Sequence, residues 1–293
     1  MNKIIVITGP TAVGKTKLSI ELAKKYNGEI INADAVQVYK GLDIGSAKVT
    51  EEEKERIPHH LFDIKEVDEE YTIYHYQKDC RDKIKEIEER GHTPILVGGT
   101  GLYIKAALYD YKLSEEKDID NYENMTNEEI YDELIKLDKD IIIDKNNRRR
   151  LVRALNYYKE NNKSINDNKT DELLYDTIFI GLTAGRSILY DKINKRVDKM
   201  IKDGLIEEVK SFYDKGLRTK PLLNGIGYRE IYQYLDNDLT LEEAISKIKQ
   251  NSRHYAKRQY TFFNHQLPIV WFETDYDNFN NTIEKVSNYI DSN

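Results

Sequence analysis

Eight residues near the start of the chain, Gly9-Pro10-Thr11-Ala12-Val13-Gly14-Lys15-Thr16, fit the pattern G-x-x-x-x-G-K-[ST]. Glycines at that spacing let successive backbone N–H groups turn inward, and a helix opening at Lys15 adds its positive N-terminal end. An ammonium and a hydroxyl follow directly: Lys15 can reach terminal phosphates, and Thr16 can ligate Mg²⁺. The whole run from Gly9 to Thr16 is therefore an anion cradle. A second reactive group is Asp34, which follows the apolar run Ile30-Ile31-Asn32-Ala33. If that run is a strand, Asp34 sits at its C-terminal end, where ligands lie in an open α/β sheet. A carboxylate there can accept a proton from a nucleophile attacking next to bound phosphates.

The elements needed to place these groups are visible as periodic apolar segments. Ile4 to Ile7 reads as a strand running into the loop, and Lys15 to Asn27 as the helix leaving it, closed by Asn27-Gly28. Glu29 to Ala33 reads as the second strand. Thr50 to Glu53 has the spacing of a capping box for a short helix ended by Pro58. Strands are expected at Leu61–Ile64, Pro94–Val97, Thr177–Leu182 and Ile269–Phe272, and long helices at Tyr71–Arg90, Ser187–Lys202 and Leu241–Phe263. Gly98-Gly99-Thr100-Gly101 makes a second glycine-rich turn at the same sheet edge, and a ligand role is expected for it. The adjacent His59-His60 pair lacks matching ligands nearby and is read as structural.

Alternating strands and helices predict an α/β fold: a P-loop-type parallel sheet flanked by helices. From about Lys112 to Thr170 the strand signals vanish and polar and charged residues dominate, which predicts an inserted all-helical subdomain. The core is then residues 1–111 with 175–293, and the insertion 112–174. Within the insertion, Thr126 and Glu129 cap one helix and Asn147 opens another. Asn161 to Asp171 reads as a polar loop.

At 293 residues with 33% charged and 39% hydrophobic residues, the chain has ample material for a core and no apolar run long enough to span a membrane. No signal peptide is visible, and the single cysteine, Cys80, excludes an internal disulfide, so a cytoplasmic setting is expected. Nothing demands a partner subunit, and a monomer is expected. Net charge is −7, yet basic residues cluster at Arg148–Arg153, Lys192–Lys202 and Lys247–Arg258, the last interleaved with Tyr255 and Tyr260. Such clusters suit a polyanionic partner. No strand here ends in the aspartate of a Walker B motif; Val97 runs into Gly98 instead. A phosphate loop with a base beside it suits phosphoryl transfer, and it suits alkyl transfer with pyrophosphate leaving equally well.

A family resemblance separates these. Gly9–Thr16, Asn32–Tyr39, Asp43–Lys48, Pro58–Leu61, Gly98–Tyr103, Arg149–Leu155, Gly225–Tyr228 and Tyr255–Gln259 resemble, in order along nearly the whole chain, the motifs of the tRNA dimethylallyltransferase family. Lys192, Asn156, Asp144-Lys145, Ala35 and Ser46 depart from its usual residues. The resemblance implies transfer of a dimethylallyl group from dimethylallyl diphosphate to N6 of adenine 37 in tRNAs that read codons starting with U, releasing diphosphate. By the same resemblance the loop holds diphosphate rather than ATP, with Lys15 and Thr16–Mg²⁺ offsetting its charge. Asp34 matches the general base and Arg196 an arginine on the leaving group. Asp34, Ala35, Val36, Gln37 and Thr100 match the segments that meet the target nucleotide. Asn146, Asn147, Arg148, Arg149 and Arg150 match a segment contacting tRNA at the anticodon stem-loop. No zinc-finger extension of the eukaryotic kind is included, so a bacterial-type member is expected. The alternatives are an adenylate isopentenyltransferase acting on free AMP, ADP or ATP, a small-molecule P-loop kinase, and a non-catalytic RNA-binding module.

Overall fold

Ile4, Ile5, Val6 and Ile7 are all buried, which a strand covered on both faces requires and an alternating surface strand does not. In the computed structural model of the chain, which describes residues 3–111, 113 and 120–293 and no side chains for 167–171, they form β1 (Ile4–Thr8). The chain continues through α1 (Lys15–Lys25), β2 (Gly28–Asn32), β3 (His59–His60), α2 (Ile73–Glu89), β4 (Thr93–Val97), α3 (Gly101–Leu108) and β5 (Tyr109–Tyr111). Next come α4 (Asn127–Leu137), α5 (Arg148–Asn161), β6 (Lys169–Leu173), β7 (Thr177–Thr183), α6 (Arg186–Lys202) and α7 (Leu205–Tyr213). The last elements are α8 (Lys220–Asn224), α9 (Tyr228–Leu235), α10 (Leu241–Gln266), β8 (Val270–Glu273) and α11 (Phe279–Asp291).

Six strands form one sheet in the order β3-β2-β4-β1-β7-β8. Each neighbouring pair is parallel, so the carboxyl ends of β1, β2 and β4 share one edge. Leu18 and Leu22 of α1 join Ile5, Ile7, Ile95 and Ile180 in the core that seats this sheet. Among the described residues no helix is long and apolar enough to cross a membrane.

By internal contacts the chain divides into two compact units, Met1–Ala107 with Tyr175–Asn293, and Leu108–Leu174. Lys112, where the sequence places the start of the insertion, lies outside the described residues. In the smaller unit Ile130 and Leu134 of α4 pack on Leu151, Ala154 and Leu155 of α5. The all-helical expectation needs correction: β5 and β6 pair as antiparallel strands, and β6 begins inside the stretch read as a polar loop.

Two local expectations also change. The strand expected at Leu61–Ile64 is instead the two residues of β3, because Leu61 (φ 63°) and Asp63 (φ 53°) turn left-handed and break the extended run. Thr50 and Glu53 do bond reciprocally, N–H to side chain, at 3.0 and 3.2 Å. No α-helix follows, since Glu55 (φ 46°) and Arg56 (φ 67°) are left-handed as well.

Candidate active site

The Gly9–Thr16 loop is held from behind as well as by its own glycines. Gly9 (φ 133°) lies so close to β7 that a Cβ there would sit 2.3 Å from the Leu182 carbonyl oxygen. Thr274 Oγ1 donates to the Val13 carbonyl at 2.9 Å, and Tyr276 OH to the Ala12 carbonyl at 3.0 Å. Val13 itself is core, while Thr11, Ala12, Gly14, Lys15 and Thr16 line a cavity of about 830 Å³. The Lys15 ammonium donates to the Gly9 and Pro10 carbonyls at 3.0 and 2.7 Å. Burial, reinforced by the Arg196 charge and only partly opposed by Asp34, pulls its pKa down to about 7.

Arg196 projects from α6 into the same cavity. Its Nε is buried without a hydrogen-bond partner among the described residues, and burial lowers its pKa against the pull of Asp34 and Glu53. A buried guanidinium donor left unpaired is a costly arrangement unless an anion completes it.

Asp34 is placed by a clip of short bonds just past β2. Buried Asn32 accepts from the Asp34 N–H at 2.9 Å and donates to the carbonyls of Asp34 and Leu61, each at 3.0 Å. The Val36 N–H closes an Asx turn on Asp34 Oδ1 at 2.9 Å. The second glycine-rich turn locks onto this one: Ala35 N–H donates to Thr100 Oγ1 at 3.1 Å, and Thr100 N–H to the Ala33 carbonyl at 3.0 Å. Gly98 is required here, because a Cβ would fall 2.2 Å from the Ala33 carbonyl group.

Asp34, Ala35, Val36, Gln37 and Thr100 all line the cavity with Lys15, Thr16 and Arg196. Gln37 Nε2 donates to the Ser46 carbonyl at 3.0 Å and more weakly to that of Ala47 at 3.4 Å. Beyond these, α10 supplies Tyr255 and Gln259. Gln259 Nε2 donates to the Gly99 carbonyl at 3.0 Å, and the Tyr255 hydroxyl is pushed up to about 12 by burial and by the nearby Asp34 charge. Sequence reasoning matched both residues to a family motif without a role. Thr274 and Tyr276 carry no motif and were not anticipated.

Asn146 to Arg150 lie in the other unit, at the start of α5. Asn147 caps that helix, its side chain accepting from the Arg150 N–H at 3.2 Å. The Arg148 guanidinium is occupied by the carbonyls of Met125 (2.8 Å) and Tyr122 (2.6 Å), whereas Arg149 and Arg150 are exposed. His60 bonds Glu29 at 2.5 Å in a cluster with Arg90 and His92, and His59 bonds the Ile57 carbonyl at 2.8 Å. Among the described residues no group of three or more His, Cys, Asp or Glu could hold a metal.

Comparison with known proteins identifies close relatives of this arrangement. The IPP transferase family profile matches residues 37–266. A tRNA dimethylallyltransferase of Anoxybacillus flavithermus is 49% identical over 99% of this chain and 96% of its own. One from Geobacillus thermodenitrificans is 48% identical over 98% and 96%. Among solved structures, the tRNA isopentenylpyrophosphate transferase of Bacillus halodurans superposes with a TM-score of 0.78 at 42% identity, covering 100% of this chain and 96% of that one. A eukaryotic dimethylallyltransferase acting on tRNA superposes with a TM-score of 0.87 at 31% identity, covering 98% and 78%.

Proposed function

Because the chain belongs to the IPP transferase family, represented among its relatives by bacterial tRNA dimethylallyltransferases, we propose that it prenylates tRNA. It is an enzyme of that type, moving a dimethylallyl group from dimethylallyl diphosphate onto N6 of adenine 37 in tRNAs that read codons starting with U. The observation that carries this reading is the convergence on one cavity of Lys15, the unpaired Nε of Arg196 and the clipped carboxylate of Asp34. Two cations suit a diphosphate, and a carboxylate beside them suits a nucleophile that must lose a proton.

Lys15, the loop N–H groups and Arg196 hold the diphosphate and take up its charge as the carbon–oxygen bond breaks. The adenine amino nitrogen forms the new bond to carbon, and Asp34 takes the proton released from that nitrogen. Gln37 and Thr100 orient the base, which must leave its stack to reach the cavity. Among the described residues the Thr16 hydroxyl makes no hydrogen bond, and an oxygen donor with diphosphate oxygens and water completing the set fits Mg²⁺. When bound there, Mg²⁺ would neutralise charge on the departing diphosphate. Arg149 and Arg150 would meet tRNA phosphates at the anticodon stem-loop. The cavity is complete within one chain, which fits a monomer, and the substrate fits a cytoplasmic setting.

The direct test offers dimethylallyl diphosphate and Mg²⁺ with unmodified tRNA or with AMP. Prenylated adenosine in the tRNA digest, with AMP untouched, is expected. A product on AMP alone would move the reading to an adenylate isopentenyltransferase.

A further inference from the structure

Glu208 does not line the cavity, yet it collects more hydrogen bonds than a half-buried surface carboxylate needs. From α7, its Oε2 accepts the N–H groups of Ile44 (2.7 Å) and Asp43 (3.2 Å). Its Oε1 accepts the Gly45 N–H (3.1 Å) and the hydroxyl of fully buried Tyr228 (2.6 Å). Gly45 is pressed against Tyr228 so closely that a Cβ would fall 2.6 Å from its ring. The far side of the same loop is tied by Lys48, whose ammonium bonds Asp43 (2.6 Å), Asp63 (2.5 Å) and the Tyr39 carbonyl (2.9 Å).

What this anchoring achieves is visible one step along the loop. With residues 43–45 held, the carbonyls of Ser46 and Ala47 are fixed, and both receive the side-chain amide nitrogen of Gln37. An amide has two ends, and pairing Nε2 with two carbonyls settles which is which. Among the described residues Gln37 Oε1 takes no hydrogen bond, so an acceptor faces whatever enters the cavity. An acceptor held that way recognises an N–H donor on a nucleobase edge and disfavours a bare acceptor.

We propose that Glu208 is a positioning residue for the target base: by anchoring residues 43–45 it fixes Gln37 with its acceptor oxygen presented to the base. The inference rests on the tRNA reading above and adds to it a residue that touches neither substrate. Glu208→Gln puts an N–H where backbone N–H groups now donate, so part of the anchor is lost while side-chain volume is kept. It should lower kcat/KM for tRNA by about 10- to 100-fold, the usual range for losing hydrogen bonds to a charged group. The KM for dimethylallyl diphosphate should stay within about twofold, since the phosphate loop is untouched.

The decisive comparison is a double-mutant cycle with Gln37→Ala. If Glu208 acts through Gln37, the double variant is no worse than the poorer single one, and Glu208→Asp recovers part of the loss. Multiplying losses, an equal rise in the donor KM, or wild-type kinetics in Glu208→Gln would overturn the proposal. Should Glu208→Gln fold poorly, Tyr228→Phe removes the hydroxyl that meets Glu208 and the Ser46 N–H without opening a cavity, and should show a smaller loss with the same coupling to Gln37. The same cycle read as tRNA affinity tests the coupling separately from turnover. A wild-type protein that binds tRNA with this coupling but forms no product would contradict the enzymatic reading and leave Glu208's role intact.

Discussion

Arg196 carries the clearest single-residue signature of an anion site. Holding a charged donor buried and unpaired costs about 1–3 kcal/mol or more, so the ligand-free protein keeps it at the expense of stability. Arg196→Met should therefore raise the melting temperature of the ligand-free protein by about 2 °C or more while lowering kcat at least about 10²-fold. Pyrophosphate with Mg²⁺ should stabilise the wild type and not the variant; an equal thermal shift in both would remove Arg196 from the diphosphate site. Glu29 is the structural counterpart, a buried carboxylate whose needs are met. Burial alone would raise its pKa, but hydrogen bonds from Arg90, His60 and His92 hold it down to about 2 from an ordinary 4.5. A lowered carboxylate stabilises the fold above its unfolded pKa and stops doing so as pH falls through the folded one. Glu29→Gln should thus melt lower than wild type at pH 7, with the gap closing between about pH 4.5 and 2; a gap independent of pH would contradict this cluster. Lys15 and Asp34 were legible in the sequence because each sits in, or directly after, a contiguous motif. The Glu29 cluster was not, because its partners, His60 on one segment and Arg90 with His92 on another, are far from Glu29 in sequence and meet it only in the folded sheet.

Strand ends set the geometry that those residues use. β2 delivers Asn32 and Asp34, β4 delivers Gly98 to Thr100, and the two meet because Gly98 has no side chain. Gly98→Ala would force its Cβ into the Ala33 carbonyl, so we expect a loss of about 1–3 kcal/mol from overpacking and a kcat drop as Asp34 shifts. A melting temperature and kcat both equal to wild type would show that the turn yields freely. β1, β2, β4 and β7 could be read from the sequence nearly to the residue, since doubly covered strands are continuous apolar runs. β3 was misplaced because left-handed residues, which carry no strong residue signature when they are Leu and Asp, interrupt the run. β6 was missed because a short strand in a polar stretch lacks any period to detect, and β5 because three residues are too few to show one. The matches at Asp43–Lys48 and Gly225–Tyr228 were visible as two separate motifs, whereas their meeting through Glu208 and Tyr228 is a fact of packing.

For the molecule as a whole, one unit holds the cavity and the other carries the exposed Arg149 and Arg150, which we propose meet tRNA. Removing Arg149 and Arg150 should weaken tRNA binding and flatten the dependence of log Kd on log salt by about 1 for each phosphate no longer neutralised. Arg148→Ala should instead loosen the start of α5, since its guanidinium serves backbone carbonyls; an unchanged salt slope after removing Arg149 and Arg150 would place the tRNA-binding surface elsewhere. The alternation of strand and helix made the sheet and its phosphate loop legible from the start, and the loop by itself could equally have served a kinase. In the proposed reaction Asp34 beside it makes the loop a leaving-group clamp, and that proposal has one direct test. In single-turnover prenylation of a substrate tRNA with saturating dimethylallyl diphosphate, Asp34→Ala should slow the chemical step by about 10²–10⁴-fold while tRNA Kd stays within about threefold of wild type. An unaltered rate, or a loss explained entirely by weaker tRNA binding, would contradict Asp34 as the group that takes the proton.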